Sequence, residues 1–279
     1  MSPGEPITPP GSTPTTLADP LTEALRLIGL AEERGVLVRL MGGLAFHAQA
    51  PTWTARVDRD GRDIDLATRS ADRTALTELL VGEGYTPDRQ YNALYGHKQL
   101  YFVDASKGRP VDVLVDRLEM CHRFEFRDRL AASRPTLPLA ELLLTKLQIV
   151  KINRKDLLDA LILLASHPLA ATSDGAGDGA DAGAAINVGR IVGLTSTDWG
   201  WWRTVTGNLD RLQTYVAAEL GPNELDTGAP LRFDPGTQLT ALADAIEAAP
   251  KSTKWRLRAR VGDRVAWYEE PEEVGHGRS

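Results

Sequence analysis

At Pro138 the hydrophobic pattern changes period, and that change constrains the fold more than any other feature of the chain. Ahead of it stand apolar runs of strand length, "VLVRLMGG", "RDIDLAT" and "RPVDVLVD", each bounded by Gly, Pro or Asp, with the helical pattern of "ADRTALTELLVGEG" among them. Behind it "LAELLLTKLQIVK" and "RKDLLDALILLASH" repeat their apolar residues every three or four positions, the period of a helix. Strands and helices mixed first, then helices alone, predict an α+β chain: a mixed β-sheet flanked by helices, followed by a smaller, mostly helical C-terminal domain.

The boundaries follow from composition. Residues 1–18 are proline-rich and lack the basic and apolar regions of a secretory signal, which reads as a disordered lead. Asp19 and Pro20 then supply an N-cap and a first-turn proline for a helix that Gly35 stops. Ser70 is placed to cap the next helix. "ALYGHKQLYFVD" and "RPVDVLVD", joined by "ASKG", predict a β-hairpin. The first domain is expected over 19–168, and residues 169–186, rich in Gly, Ala and Asp, read as a linker. The helical domain takes 187–279, where "KSTKWRLRARVGDRVAWYEE" fits either a helix or a hairpin turning at Gly262-Asp263.

A chain that is 42% hydrophobic and 25% charged can bury a real core. Its formal charge of -6 excludes a global basic field for steering onto nucleic acid, though a local patch in "KSTKWRLRAR" remains available to an RNA. No apolar run reaches the roughly 18 residues of a membrane helix. Cys121 has no second cysteine to pair with, so it reads as a small buried hydrophobe in a reducing, cytoplasmic setting.

Three acids stand out. In "RDIDLAT" the side chains of Asp63 and Asp65 share one face of a strand, with alpha carbons about 6.6 Å apart, while Ile64 and Leu66 point to the core. In "PVDVLVD" Asp112 faces one side with Leu114 and Asp116, leaving Val111, Val113 and Val115 for the other. Hard divalent ions such as Mg2+ take oxygen ligands, one or two carboxylates together with substrate phosphates. Solvated strand ends carry the same residue types, and Asp112 or Asp116 can serve merely as the edge of an amphipathic strand. Gly42-Gly43, after a buried strand and before a helix, lets phosphate oxygens approach backbone N–H groups at a helix N-terminus. A bare turn is the plainer use of the same two glycines.

Taken together, "LMGGLAFHAQA", "RDIDLAT" and "PVDVLVD" resemble the glycine-turn, Asp-x-Asp and third-carboxylate motifs of the DNA polymerase β-type nucleotidyltransferase superfamily. "LLLTKLQIVKINRKDLLDALILL" is similar to the helices of AbiEii-type nucleotidyltransferases, toxin components of bacterial toxin–antitoxin systems. The resemblance spans roughly residues 21–166 and implies a nucleotidyltransferase fold. It implies that Gly42 and Gly43 hold the triphosphate, that Asp63, Asp65 and Asp112 bind Mg2+ in a two-metal site, that Lys146 meets nucleotide phosphates and that Asp156 lies near the acceptor. Its substrate is a nucleoside triphosphate, its acceptor an RNA such as tRNA, and an antitoxin protein its partner. The polar insert "TWTARVDRDG" departs from the pattern by its length, and Arg56 and Arg62 beside it are candidates to neutralise triphosphate charge.

Three further features have plainer readings. His47, His97, His122 and His167 lack metal spacing, and only His97-Lys98 on the hairpin is placed to reach a nucleotide. Trp199, Trp201 and Trp202 beside Arg203 have the composition of a base-stacking surface, but their spacing at a helix start favours the core. Lys146 reads equally as a lysine lying along an amphipathic helix, and Asp156 and Asp159 share one helical face.

Overall fold

The computed structural model describes residues 16–51, 63–171, 185–219 and 231–270. Arg56 and Arg62, the whole polar insert, residues 1–15 and most of the Gly-rich linker lie outside them.

Helix α1 (Pro20–Glu33) starts where the sequence places it, the Asp19 carboxylate accepting the Thr22 N–H at 2.7 Å. Its buried face, Ala24, Leu27, Ile28 and Ala31, leads into β1 (Val38–Met41), which runs straight into α2 (Gly42–Gln49). After β2 (Ile64–Thr68) come a short 3-10 turn, α3 (Arg73–Gly82), β3 (Tyr85–Pro87) and α4 (Arg89–Tyr95). Ser70 opens that turn through its backbone N–H, which donates to Asp116 Oδ1, rather than by a side-chain cap.

Strands β4 (Gln99–Asp104) and β5 (Arg109–Val115) form the expected hairpin, paired from Gln99 opposite Leu114 to Asp104 opposite Arg109. Its first strand begins at Gln99, because "RQYNALY" is helical and is capped by Asp88, whose Oδ1 accepts the Tyr91 N–H. The sheet order is β1-β2-β5-β4-β3, with β2 and β5 parallel and the other pairs antiparallel. The burial pattern of β5 alternates strictly, valines inward and Asp112 and Leu114 outward, as its period-two sequence requires.

A small ribbon of β6 (Arg117–Glu119) and β7 (Arg123–Glu125) follows, then the helices α5 (Leu139–Leu147) and α6 (Arg154–Ser166). The two ends of the Gly-rich segment meet as a parallel pair, β8 (Leu169–Ala170) with β9 (Ile186–Asn187). Beyond it lie α7 (Val188–Thr197), α8 (Trp199–Thr214), a π-helical turn at Tyr215–Glu219, α9 (Pro235–Ala248) and α10 (Thr253–Val261). The last is a helix that ends at Gly262 in a left-handed conformation, which decides between the two readings of the basic stretch.

One apolar cluster runs from Ala24 to Ile246. Trp201 is buried in it beside Phe124, and Asn208 of α8 donates to the carbonyls of Leu147 and Ile149 at the end of α5. Glu141, fully buried on α5, takes Arg129 and Arg190 at 2.9 Å each and so ties α5 to the start of α7. At the other end, Thr16 donates to Asp104 at 2.6 Å and Arg109 donates to the Leu17 carbonyl at 2.7 Å, so the last residues of the proline-rich lead are fastened to the hairpin. Among the described residues no helix is long and apolar enough to cross a membrane.

Candidate active site

The site begins at the end of β1. Met41 pairs with Asp65 across the antiparallel β1–β2 ladder, and the chain then turns at Gly42, whose φ is 62°. Glycine is required there twice over: the left-handed backbone disfavours a side chain, and a Cβ would lie 1.9 Å from Asp65 Oδ2. Gly42 and Gly43 form the first turn of α2, where backbone N–H groups lack helical partners.

Asp65 is directly opposite Asp112 in the parallel β2–β5 register. Neighbouring strands lie about 4.8 Å apart, so the two carboxylates leave the same face of the sheet side by side. Burial pushes the Asp65 carboxyl up to about 7, with the Asp112 and then the Asp63 charges adding to the rise and Lys146 and Lys155 opposing it. Asp63, exposed and just ahead of β2, contributes its charge to the rise at Asp65 but does not line the pocket. Among the described residues no three His, Cys, Asp or Glu side chains are gathered to hold a metal ion. What converges is therefore a pair, Asp65 and Asp112. Two adjacent carboxylates fit a magnesium ion whose remaining ligands are water and phosphate, since that ion rarely takes more protein carboxylates than this.

Both acids line a pocket of about 750 Å³, together with Gly42, Lys146 and Asp156. Lys146 on α5 holds Asp156 Oδ1 at 2.7 Å and Asp159 Oδ2 at 3.0 Å, and it sits 5.4 Å from the centre of the Phe46 ring. The expected phosphate-binding lysine is thus the clasp between α5 and α6, at the pocket wall. Asp156 reaches the pocket with its position fixed from both ends, since its backbone N–H donates to the Asn153 cap. Asp116 behaves differently from Asp112. It has a φ of 65° just past β5, and its carboxylate and carbonyl fasten the turns around it, so it is a structural acid.

Lys98, which the sequence places to reach a nucleotide, lines the pocket, while His97 is not among its lining residues. Several other lining residues carry no signature in the sequence. Arg117 brings a second cation, and both it and Lys98 lie near Glu119, at 2.6 and 3.8 Å. Gln99 donates to Asp112 Oδ1 at 2.7 Å and accepts the Tyr91 hydroxyl at 2.9 Å. Glu269 and Glu270 arrive from the far end of the chain, held by the Glu269 N–H to the Cys121 carbonyl and by Lys151 to Glu270.

No protein-family model matches this chain, and no curated protein matches it. Among solved structures, the chain is similar to an antigenic nucleotidyltransferase-like protein from Paracoccidioides brasiliensis, at 12% identity over 85% of this chain and 96% of that one, with a TM-score of 0.38. It is also similar to a STING-associated CdnE c-di-GMP synthase from Capnocytophaga granulosa, at 15% identity over 86% of this chain and 82% of that one, with a TM-score of 0.23. Scores this low carry no argument. The chemistry of the site rests on its own residues.

Proposed function

We propose that the chain is a magnesium-dependent nucleotidyltransferase, built on a nucleotidyltransferase fold, that moves a nucleoside monophosphate from a nucleoside triphosphate to an acceptor hydroxyl. The observation that carries this reading is the juxtaposition of Asp65 and Asp112 beside a glycine that no other residue can replace, at the wall of one pocket. Asp65 and Asp112 would hold magnesium in the two-metal site the resemblance implies, where it would supply charge neutralisation for the attacking and leaving oxygens. The chain's own part is positioning. Gly42 and Gly43 present N–H groups to the phosphates, and Asp63 adds a third acid at the exposed side. The acceptor oxygen bonds to the α-phosphorus, the α–β bridging bond breaks with its electrons leaving on pyrophosphate, and the hydroxyl proton passes to the Asp112 side of the site.

The acceptor is RNA, tRNA first, if the AbiEii-like helices mean what they resemble, and an antitoxin protein would then be the partner. A small hydroxylated molecule such as an antibiotic, or a protein side chain, is the other acceptor class. A second reading has one specific observation in its favour. Because no three acids are gathered among the described residues, a nucleotide- or partner-binding module without turnover fits the same pocket.

One assay separates these readings. The protein is incubated with Mg2+, each labelled triphosphate in turn, and either bulk tRNA or no acceptor, beside Asp65→Asn. Label on tRNA that disappears in the variant supports RNA nucleotidyl transfer. Turnover without labelled tRNA moves the acceptor to another class, and tight nucleotide binding with no turnover supports the binding module.

A further inference from the structure

Asp112 is oriented by a relay that begins outside the strand pair. Its Oδ1 accepts the Gln99 side-chain amide at 2.7 Å, and the Gln99 oxygen in turn accepts the Tyr91 hydroxyl at 2.9 Å. The direction of the amide is set by chemistry: an ionised carboxylate only accepts, so Gln99 must turn its NH2 toward Asp112 and its oxygen toward the phenol. Gln99 reaches Asp112 diagonally across the β4–β5 ladder, because Tyr101 is the residue directly opposite Asp112 and Gln99 lies two positions before it on the same face. Tyr91 belongs to α4, and α4 is fastened to β4 by a reciprocal pair of bonds between the Asn92 side chain and the Tyr101 backbone, at 3.1 and 2.7 Å. A buried tyrosine on a clamped helix is therefore the fixed end of the relay, and the carboxylate is its working end.

We propose that Gln99 is a positioning residue that holds the Asp112 carboxylate in the orientation from which it ligates the divalent cation, with Tyr91 fixing the Gln99 amide. This rests on the nucleotidyl-transfer reading of the same site and adds to it the group that aims one of its two acids. A hydrogen-bonded ligand is held in one rotamer and loses less freedom on binding metal. Outer partners of this kind are worth roughly tenfold to a hundredfold in metal affinity. In this relay Tyr91 acts through Gln99, so the effects of the two on the metal should not be independent.

The test is Mn2+ titration of the full chain by electron paramagnetic resonance, comparing the parent with Gln99→Met, Tyr91→Phe, the double variant and Asp112→Asn. Near-ultraviolet circular dichroism checks the fold of each. Gln99→Met should weaken Mn2+ roughly tenfold, Tyr91→Phe by a smaller factor, and the double variant no more than Gln99→Met alone. Should Gln99→Met fail to fold, Tyr91→Phe decides, and parent-like affinity there counts against the relay. Mn2+ bound by the parent and weakened by Asp112→Asn, yet unchanged by Gln99→Met, overturns this inference alone. A Tyr91→Phe effect that persists when residue 99 is already Met also overturns it. A parent that binds no Mn2+ overturns both this inference and the reading beneath it.

Discussion

Gly42 and Asp65 are in contact so close that a single methyl group on Gly42 would overlap the Asp65 carboxylate, at 1.9 Å from Oδ2. The turn that begins α2 and the acid on β2 therefore constrain one another. Neither residue has room to change without moving the other.

Gly42→Ala should be damaging on two counts, the left-handed φ of 62° and the overlap with Asp65. A loss of about 2 kcal/mol or more is expected in urea denaturation, with Mn2+ binding reduced at the same time. Gly29→Ala is the control. It lies within α1, where an added Cβ meets nothing within 4 Å, and it should stabilise the protein by about 0.5–1 kcal/mol. Equal effects at the two positions would count against a special role for Gly42.

Lys146 satisfies two acids at once, Asp156 at 2.7 Å and fully buried Asp159 at 3.0 Å. Lys146→Met removes this shared cation from both, and stability should fall by roughly 3 kcal/mol. Adding Asp159→Asn to Lys146→Met should recover part of that loss. A thermal scan that finds Lys146→Met as stable as the parent would show that the clasp between α5 and α6 has other supports.

His122 gives the fold a dependence on acid. Burial holds its imidazole down to about 4, against the raising influence of Asp198, and it shares a 2.8 Å hydrogen bond with Thr204. The unfolded chain, with a histidine near 6.5, binds the proton first, so stability is flat above about pH 6.5 and declines as the pH falls from there toward 4. The full span is worth roughly 3 kcal/mol. His122→Gln should remove that part of the decline when denaturation midpoints are measured from pH 7.5 to 4.5, and an unchanged slope would assign it to other groups.

How much of this was legible in the sequence depends on whether a contact follows from spacing. The period-two run of β5 and the apolar run ending at Gly42 can be read directly, because alternation and glycine have only a few backbone meanings. From these, Asp65 and Asp112 follow as acids of one sheet face. Their direct opposition does not, since it depends on β2 and β5 pairing in parallel across the α3–β4 segment. Helix α4 was hidden because "NALY" continues into an aromatic strand, and only the Asp88 cap marks its start. Gln99 could not be found at all: a lone glutamine carries no signature until the strand beside it brings a carboxylate within 2.7 Å. In the sequence Lys146 fits a phosphate ligand and a surface lysine equally. Its pairing with both Asp156 and Asp159 depends on how α5 crosses α6, which one helix's period does not specify.

In the proposed function Asp65 and Asp112 together carry metal-dependent nucleotidyl transfer. Pyrophosphate release from each of the four nucleoside triphosphates, measured across a Mg2+ titration for the parent and for Asp65→Asn and Asp112→Asn, decides whether they do. Release by the parent should require Mg2+, and both variants should fall to the level of buffer while they remain folded. Release that survives in either folded variant, or that proceeds without a divalent ion, would contradict that function.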